Sequence, residues 1–155
     1  EIGDGRGFLY AQLREDTTNR LLDLGTKGSG TTPFSRSGDG RLTLKGAVRE
    51  ILASEYLNAL SVNSCKILSV FETEEQLHRN DEPSPTRAAV LVRLSHSHIR
   101  IGSFQRLAYL NQPQEIHTLA RYVARYYYPD IDPESPPEAL LLGLLEALII
   151  CVAEM

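Results

Sequence analysis

The chain has 155 residues, of which 42% are hydrophobic and 23% charged. That composition is globular, not disordered, and long enough to bury one ordinary core. A formal net charge of −4 excludes a general nucleic-acid binder, which carries a basic excess. The basic residues are lopsided, thirteen Arg against Lys27, Lys45 and Lys66, and Arg is favoured where phosphate or carboxylate is gripped by two parallel bonds. Two cysteines, Cys65 and Cys151, sit among apolar residues, which predicts buried free thiols in a reducing compartment and no disulfide framework. No secretory signal opens the chain. The most apolar stretch, 139–153, is broken by Glu146 and falls short of the roughly 20 residues a membrane span needs. A buried helix is expected there, and no membrane or nucleic-acid partner. The start on Glu1 and the end at Met155, inside a helical pattern without a stop signal, predict a fragment of something longer.

In chain order, the glycine turn Gly3-Asp4-Gly5-Arg6-Gly7 feeds a strand over 8–13. A polar turn at 16–19 leads to a second strand over 21–26, so the two predict a hairpin. Residues 28–40 are dense in Gly, Ser, Thr and Pro and read as a loop. From 42 to 60 the period becomes helical, with Leu44, Val48, Ile51, Leu52, Tyr56 and Leu60 on one apolar stripe and Glu50 on its flank. A strand is expected over 66–73, a charged loop over 74–85 and a buried strand over 86–94. Ile116, Leu119, Ala120, Val123 and Tyr127 mark a further helix, closed by the prolines of 130–137. A last helix begins near Pro137. Strands, a helix, strands and then helices predict an α+β domain with an antiparallel sheet and a helical region after it.

Several residues could carry chemistry. Lys27 ends a predicted strand beside flexible backbone, where its compact charge could reach a di- or triphosphate; it could equally be an exposed strand-end lysine. Glu50, 23 residues on, lies on a helix. A strand lysine paired to a helix glutamate is how protein kinases hold the lysine against nucleotide phosphates; the plainer alternative is a local pair with Arg49 or Arg41. Arg93 sits in a predicted buried strand, where an unpaired guanidinium would be very costly, so a carboxylate or a phosphate should meet it. His96 and His98 form an H-x-H pair, too few ligands for zinc, and hydrogen-bonded histidines are expected instead. The glycines match neither standard fingerprint. G-x-G-x-G at 3–7 precedes a strand where the dinucleotide motif opens a helix, and Lys27-Gly28-Ser29-Gly30 is no P-loop.

Taken together, the segments have a recognisable pattern. Thr26-Lys27-Gly28-Ser29-Gly30-Thr31-Thr32-Pro33-Phe34-Ser35-Arg36, followed by Gly38-Asp39-Gly40-Arg41, closely resembles the signature of the selenoprotein O family. The similarity continues at Val48-Arg49-Glu50, Ser54-Glu55 and Ala59-Leu60. It resumes at Arg93, Ser97-His98-Ile99-Arg100, Gly102 and Phe104, and Gly3-Asp4-Gly5-Arg6 resembles that family's early G-D-G-R.

The resemblance implies a protein-kinase-like fold, with an N-lobe-type antiparallel sheet and an αC-like helix over 1–110 and the first helices of an incomplete C-lobe over 111–155. It implies a protein adenylyltransferase that binds ATP reversed and moves AMP onto Ser, Thr or Tyr hydroxyls of proteins, or UMP from UTP, with Mg2+ or Mn2+. By position, Lys27 would hold the phosphates and Glu50 would position Lys27. Gly3, Gly5, Arg6, Asp39 and Gly40 would line the nucleotide, and Arg93 and Arg100 would hold its terminal phosphate. The family's catalytic base and metal ligands match no position up to Met155, so the isolated piece is expected to be inactive. Ser64-Cys65-Lys66 and Leu94-Ser95-His96 depart from the family pattern. The competing expectations are a phosphotransferase with ATP the usual way round and a non-catalytic nucleotide-binding fragment. Location would be cytoplasmic in a bacterium and mitochondrial in a eukaryote.

Overall fold

The structure, a computed structural model, describes residues 7–33, 35 and 38–153. The chain divides into two compact units, Glu1–His98 and Ile99–Met155. The first is an antiparallel sheet with one helix on it. Strand β1 (Gly7–Arg14) pairs β2 (Leu21–Lys27) as the expected hairpin. The long strand β5 (Thr86–Ser95) is the centre of the sheet. One of its edges takes β4 (Lys66–Leu77) along most of its length. Its other edge takes β2 against residues 91–95 and then the short β3 (Leu42–Thr43) against Ala88 and Ala89.

Helix α1 (Leu44–Ala59) follows β3 directly. Thr43 caps it, its hydroxyl accepting from the Gly46 N–H at 3.0 Å, as a Thr at that position does to satisfy an orphan donor. The core beneath is Leu42, Ala47, Ala89 and Leu91, with Leu44, Ile67 and Val70 packed against it. This corrects the expected apolar stripe in part, since of its members Leu44 packs on the core and Ile51 is half-buried. Val48, Leu52, Tyr56 and Leu60 are 44–66% exposed, whereas the buried residues of α1 are Ala47 and Ser54. Small side chains face the sheet, so the helix axis can lie close to it, and the large ones form a ridge turned to solvent. Asn58 ties the end of the helix down by donating to the carbonyls of Ser54 and Cys65.

The second unit holds α2 (Ile101–Tyr109), α3 (Pro113–Tyr127) and α4 (Pro137–Ala153). Ala120 and Ala124, one turn apart on α3, are fully buried with Leu140 of α4, and Phe104, Ile131 and Leu144 pack around them. Glu134 takes a hydrogen bond from Arg125 at 2.8 Å and another from Arg121, which pins the proline-rich connection to α3. Helix α2 falls where the sequence offered no helical period. Cys65 is half-buried and Cys151 is exposed, so the expectation of two buried thiols fails at Cys151. Its neighbours Ile149, Ile150 and Val152 in α4 are also exposed.

Candidate functional site

Side chains on a strand alternate between faces, and β2 alternates cleanly, with Leu21, Asp23 and Gly25 buried and the residues between them less so. Lys27 continues that face. Its ammonium donates to the Glu50 carboxylate of α1, both side chains being roughly three-quarters shielded from solvent. The strand-to-helix pair expected from the sequence is therefore formed. Directly opposed residues share a face, and the register sets Lys27 against Leu91 and Gly25 against Arg93. Arg93 thus stands on the same face as Lys27, one diagonal step away, a separation of about 7–8 Å in a regular sheet. Gly25, between them, contributes no side chain. Arg93 is half-buried and its Nε is shut off from solvent. Two cations therefore share one surface, which suits an anion carrying several charges.

The loop after Lys27 is closed at its neck. Ser29 bridges Arg41, and the Gly30 N–H donates to the Gly40 carbonyl at 3.2 Å. Glycine is obligatory here for steric reasons. A Cβ on Gly28 would lie 2.5 Å from the Ala89 carbonyl oxygen, and one on Gly40 would lie 1.9 Å from that of Gly30. Both have positive φ, 95° and 68°, where a side chain is strained in any case. Asp39 accepts from the Arg41 N–H at 2.9 Å and is gripped by both terminal nitrogens of Arg79, at 2.8 and 3.1 Å. Burial works to raise the Asp39 carboxyl, but the bonds from Arg41 and Arg79 and the Arg79 charge outweigh it and hold the group below its ordinary value. Arg79 comes from the loop 78–85, the remainder of the charged loop expected over 74–85, whose first four residues belong instead to β4.

Asp23 is the buried carboxylate of the sheet, 2% exposed. It accepts from Gln12 Nε2 at 2.9 Å, from the His98 N–H at 2.8 Å and faces His98 Nδ1 at 3.3 Å. Neither Asp23 nor Gln12 was singled out from the sequence. The available signal was a carboxylate in the apolar run Leu21-Leu22-Asp23-Leu24, which can be buried only with donors around it. His96 and His98 lie beyond the end of β5 and are engaged separately, His96 Nδ1 accepting from Arg20 at 3.0 Å. No group of three or more His, Cys, Asp or Glu among the described residues could hold a metal ion.

Burial, with the Arg20 charge beside it, lowers the His96 pKa below the ordinary 6.5, against a smaller opposing pull from Asp23. Below that value the unfolded chain binds the extra proton more readily than the folded one, so stability falls as pH drops from 6.5 toward the folded value. His96→Gln keeps an acceptor for Arg20 and does not titrate. Its urea-unfolding free energy should change less between pH 7 and 5 than that of the parent protein. An identical slope in both proteins would remove His96 as the source.

The remaining expected site residues divide by position. Gly3, Gly5 and Arg6 lie outside the described residues. Arg100 is the N-cap of α2, where its carbonyl accepts from Ser103 N–H at 2.8 Å. Arg93 belongs to the Glu1–His98 unit and Arg100 to the Ile99–Met155 unit.

A family model described as protein adenylyltransferase SelO matches residues 1–155 of the chain. The protein nucleotidyltransferase YdiU of Synechocystis sp. is 49% identical over 154 residues, 99% of this chain and 32% of that protein. That of Gloeobacter violaceus is 57% identical over 139 residues, 90% of this chain and 29% of the relative. That of Shewanella denitrificans is 40% identical over 154 residues, again 99% of this chain and 30% of the relative. The chain spans about a third of the length of these curated relatives.

Proposed function

The chain belongs to the SelO family of protein adenylyltransferases, and from that premise we propose that it is the nucleotide-binding region of an enzyme that transfers AMP from ATP, or UMP from UTP, to protein hydroxyls. The observation that carries the reading is the Lys27–Glu50 pair with Arg93 one diagonal step away across Gly25. Lys27 neutralises phosphate charge and Glu50 holds its ammonium in place. Asp39 and Gly40, at the neck of the glycine loop, line the nucleotide, and Gly3, Gly5 and Arg6 are assigned with them by family position. Arg93 and, by the same resemblance, Arg100 take the terminal phosphate. With that phosphate held away from the acceptor, the α-phosphorus is the atom left open to in-line attack.

The antiparallel sheet with α1 against it is the nucleotide lobe of a kinase-like fold, proposed for 1–110, and the helices over 111–155 begin the helical lobe. A divalent cation, Mg2+ or Mn2+, would supply the rest of the charge neutralisation. By the family resemblance, its ligands and the catalytic base match no position of this chain and are assigned to the rest of the protein. The acceptors are Ser, Thr or Tyr side chains of protein substrates. The relatives named above are bacterial, which favours the cytoplasm, and no helix among the described residues is long and apolar enough to cross a membrane.

A conventional phosphotransferase is the second reading, because a lysine–glutamate pair serves either nucleotide orientation. Arg93 beside Lys27 favours AMP transfer, since a sequestered terminal phosphate cannot be the group that moves. The full-length protein, incubated with a protein acceptor and ATP labelled at either the α- or the γ-phosphorus, separates them. Label from the α-position alone is expected on the acceptor. Label from the γ-position alone would replace this reading with the second.

A further inference from the structure

We infer that Asp23 and His98 are positioning residues for Arg93, a role that rests on the nucleotide-binding reading above and names what aims the arginine at the terminal phosphate. The Asp23 carboxylate is almost wholly buried and draws its donors from two separate places, Gln12 on β1 and His98 after β5. A buried carboxylate needs those donors, so the segment leaving β5 is folded back over the sheet and held by both its backbone N–H and its ring.

The ring then comes to rest over Gly25. A Cβ at that glycine would lie 2.9 Å from His98 Cε1 and 3.0 Å from Nε2. The imidazole therefore fills the volume that a side chain at position 25 would occupy. Gly25 is the residue directly opposite Arg93, and opposed Cβ positions are about 4.5–5.5 Å apart. His98 thus stands in for the missing cross-strand neighbour of Arg93. It walls the arginine on its β2 side, where Lys27 also lies, at the diagonal position on the same strand. A long flexible side chain bounded on its β2 side by a fixed ring and a fixed lysine has fewer directions left, and preorganisation of that kind improves binding by reducing what must be ordered when the ligand arrives.

The test measures dissociation constants of ATP and ADP for the full-length protein and its variants by calorimetry. The expected result for Arg93→Ala is a collapse of the preference for ATP over ADP. His98→Ala should move in the same direction, weakening ATP about 10-fold and leaving ADP within about 2-fold. Added to Arg93→Ala it should do little more, since residues acting through one another are not additive. A purely structural role for the Asp23–His98 pair would weaken both nucleotides alike. If His98→Ala does not fold, His98→Asn keeps an amide donor for Asp23 but lacks the ring, and carries the same expectation. Equal losses for ATP and ADP, or none, in a folded His98 variant while Arg93→Ala remains selective would overturn the positioning role and leave the nucleotide reading standing. An Arg93→Ala protein with an unchanged ATP-to-ADP ratio would instead overturn that reading, and this inference with it.

Discussion

Replacing Lys27 by methionine should cut AMP transfer by the full-length protein at least about 100-fold, equivalent to about 2.7 kcal/mol of transition-state stabilisation, with little change in melting temperature. Methionine keeps most of the volume and loses the charge. Lys27 is the cation at the end of β2, and its ammonium is already held by Glu50. Phosphoryl and nucleotidyl transfer depend on positioning and charge neutralisation far more than on covalent help from the protein, so losing a positioned cation should appear mainly in the rate. Stability should barely respond. The pair is partly solvated, at 24% and 30% side-chain exposure, and such pairs contribute about 0–1 kcal/mol. Glu50→Gln tests the second half of the claim. It keeps Lys27 and removes only the charge that anchors it, so its rate should fall by less than that of Lys27→Met. Full specific activity in Lys27→Met would remove the lysine from the site.

Much of the sheet and part of the site could be read from the residues. The hairpin, the glycine loop, the strand expected over 86–94 and the Lys27–Glu50 pair each left a local mark: a polar turn, a composition shift, a β-rich run, a lysine ending a strand and a glutamate on a helix flank. The burial of α1 left the opposite mark. Size and apolarity pointed to Val48, Leu52 and Tyr56 as the inner face, but the sheet takes Ala47 and Ser54. A helix that must bring a glutamate within reach of a strand lysine approaches closely, and close approach selects small residues over large ones. The Asp23–His98 contact spans 75 positions, and Arg79 reaches Asp39 across 40. No periodicity reports contacts of that range, and only the oddity of a carboxylate among leucines was available to flag the first. Helix α2 was lost because its nine residues are too few for a period to declare itself.

Arg93→Ala should lower AMP transfer about 30- to 1000-fold, or roughly 2–4 kcal/mol of transition-state stabilisation, without an early melt. Two explanations of a half-buried arginine on a sheet compete. In one it is a structural cation that satisfies the interior. In the other it waits for a phosphate. The register favours the second. Arg93 shares its face with Lys27, one diagonal step away, and two cations gathered on one face are suited to an anion arriving from outside. Arg93→Lys sharpens the test. Lysine restores the charge but cannot make two parallel bonds to one phosphate, so it should recover only part of the rate. Arg100→Ala should share the activity loss if both arginines serve the same phosphate. Arg121→Ala is the comparison, because its guanidinium is held by exposed Glu134 on the helical unit, and it should leave transfer near normal. Measuring transfer and melting temperature on the same proteins separates the explanations. Variants at Arg93 that melt early but keep normal specific activity while folded would make the arginine structural and end its assignment to the phosphate.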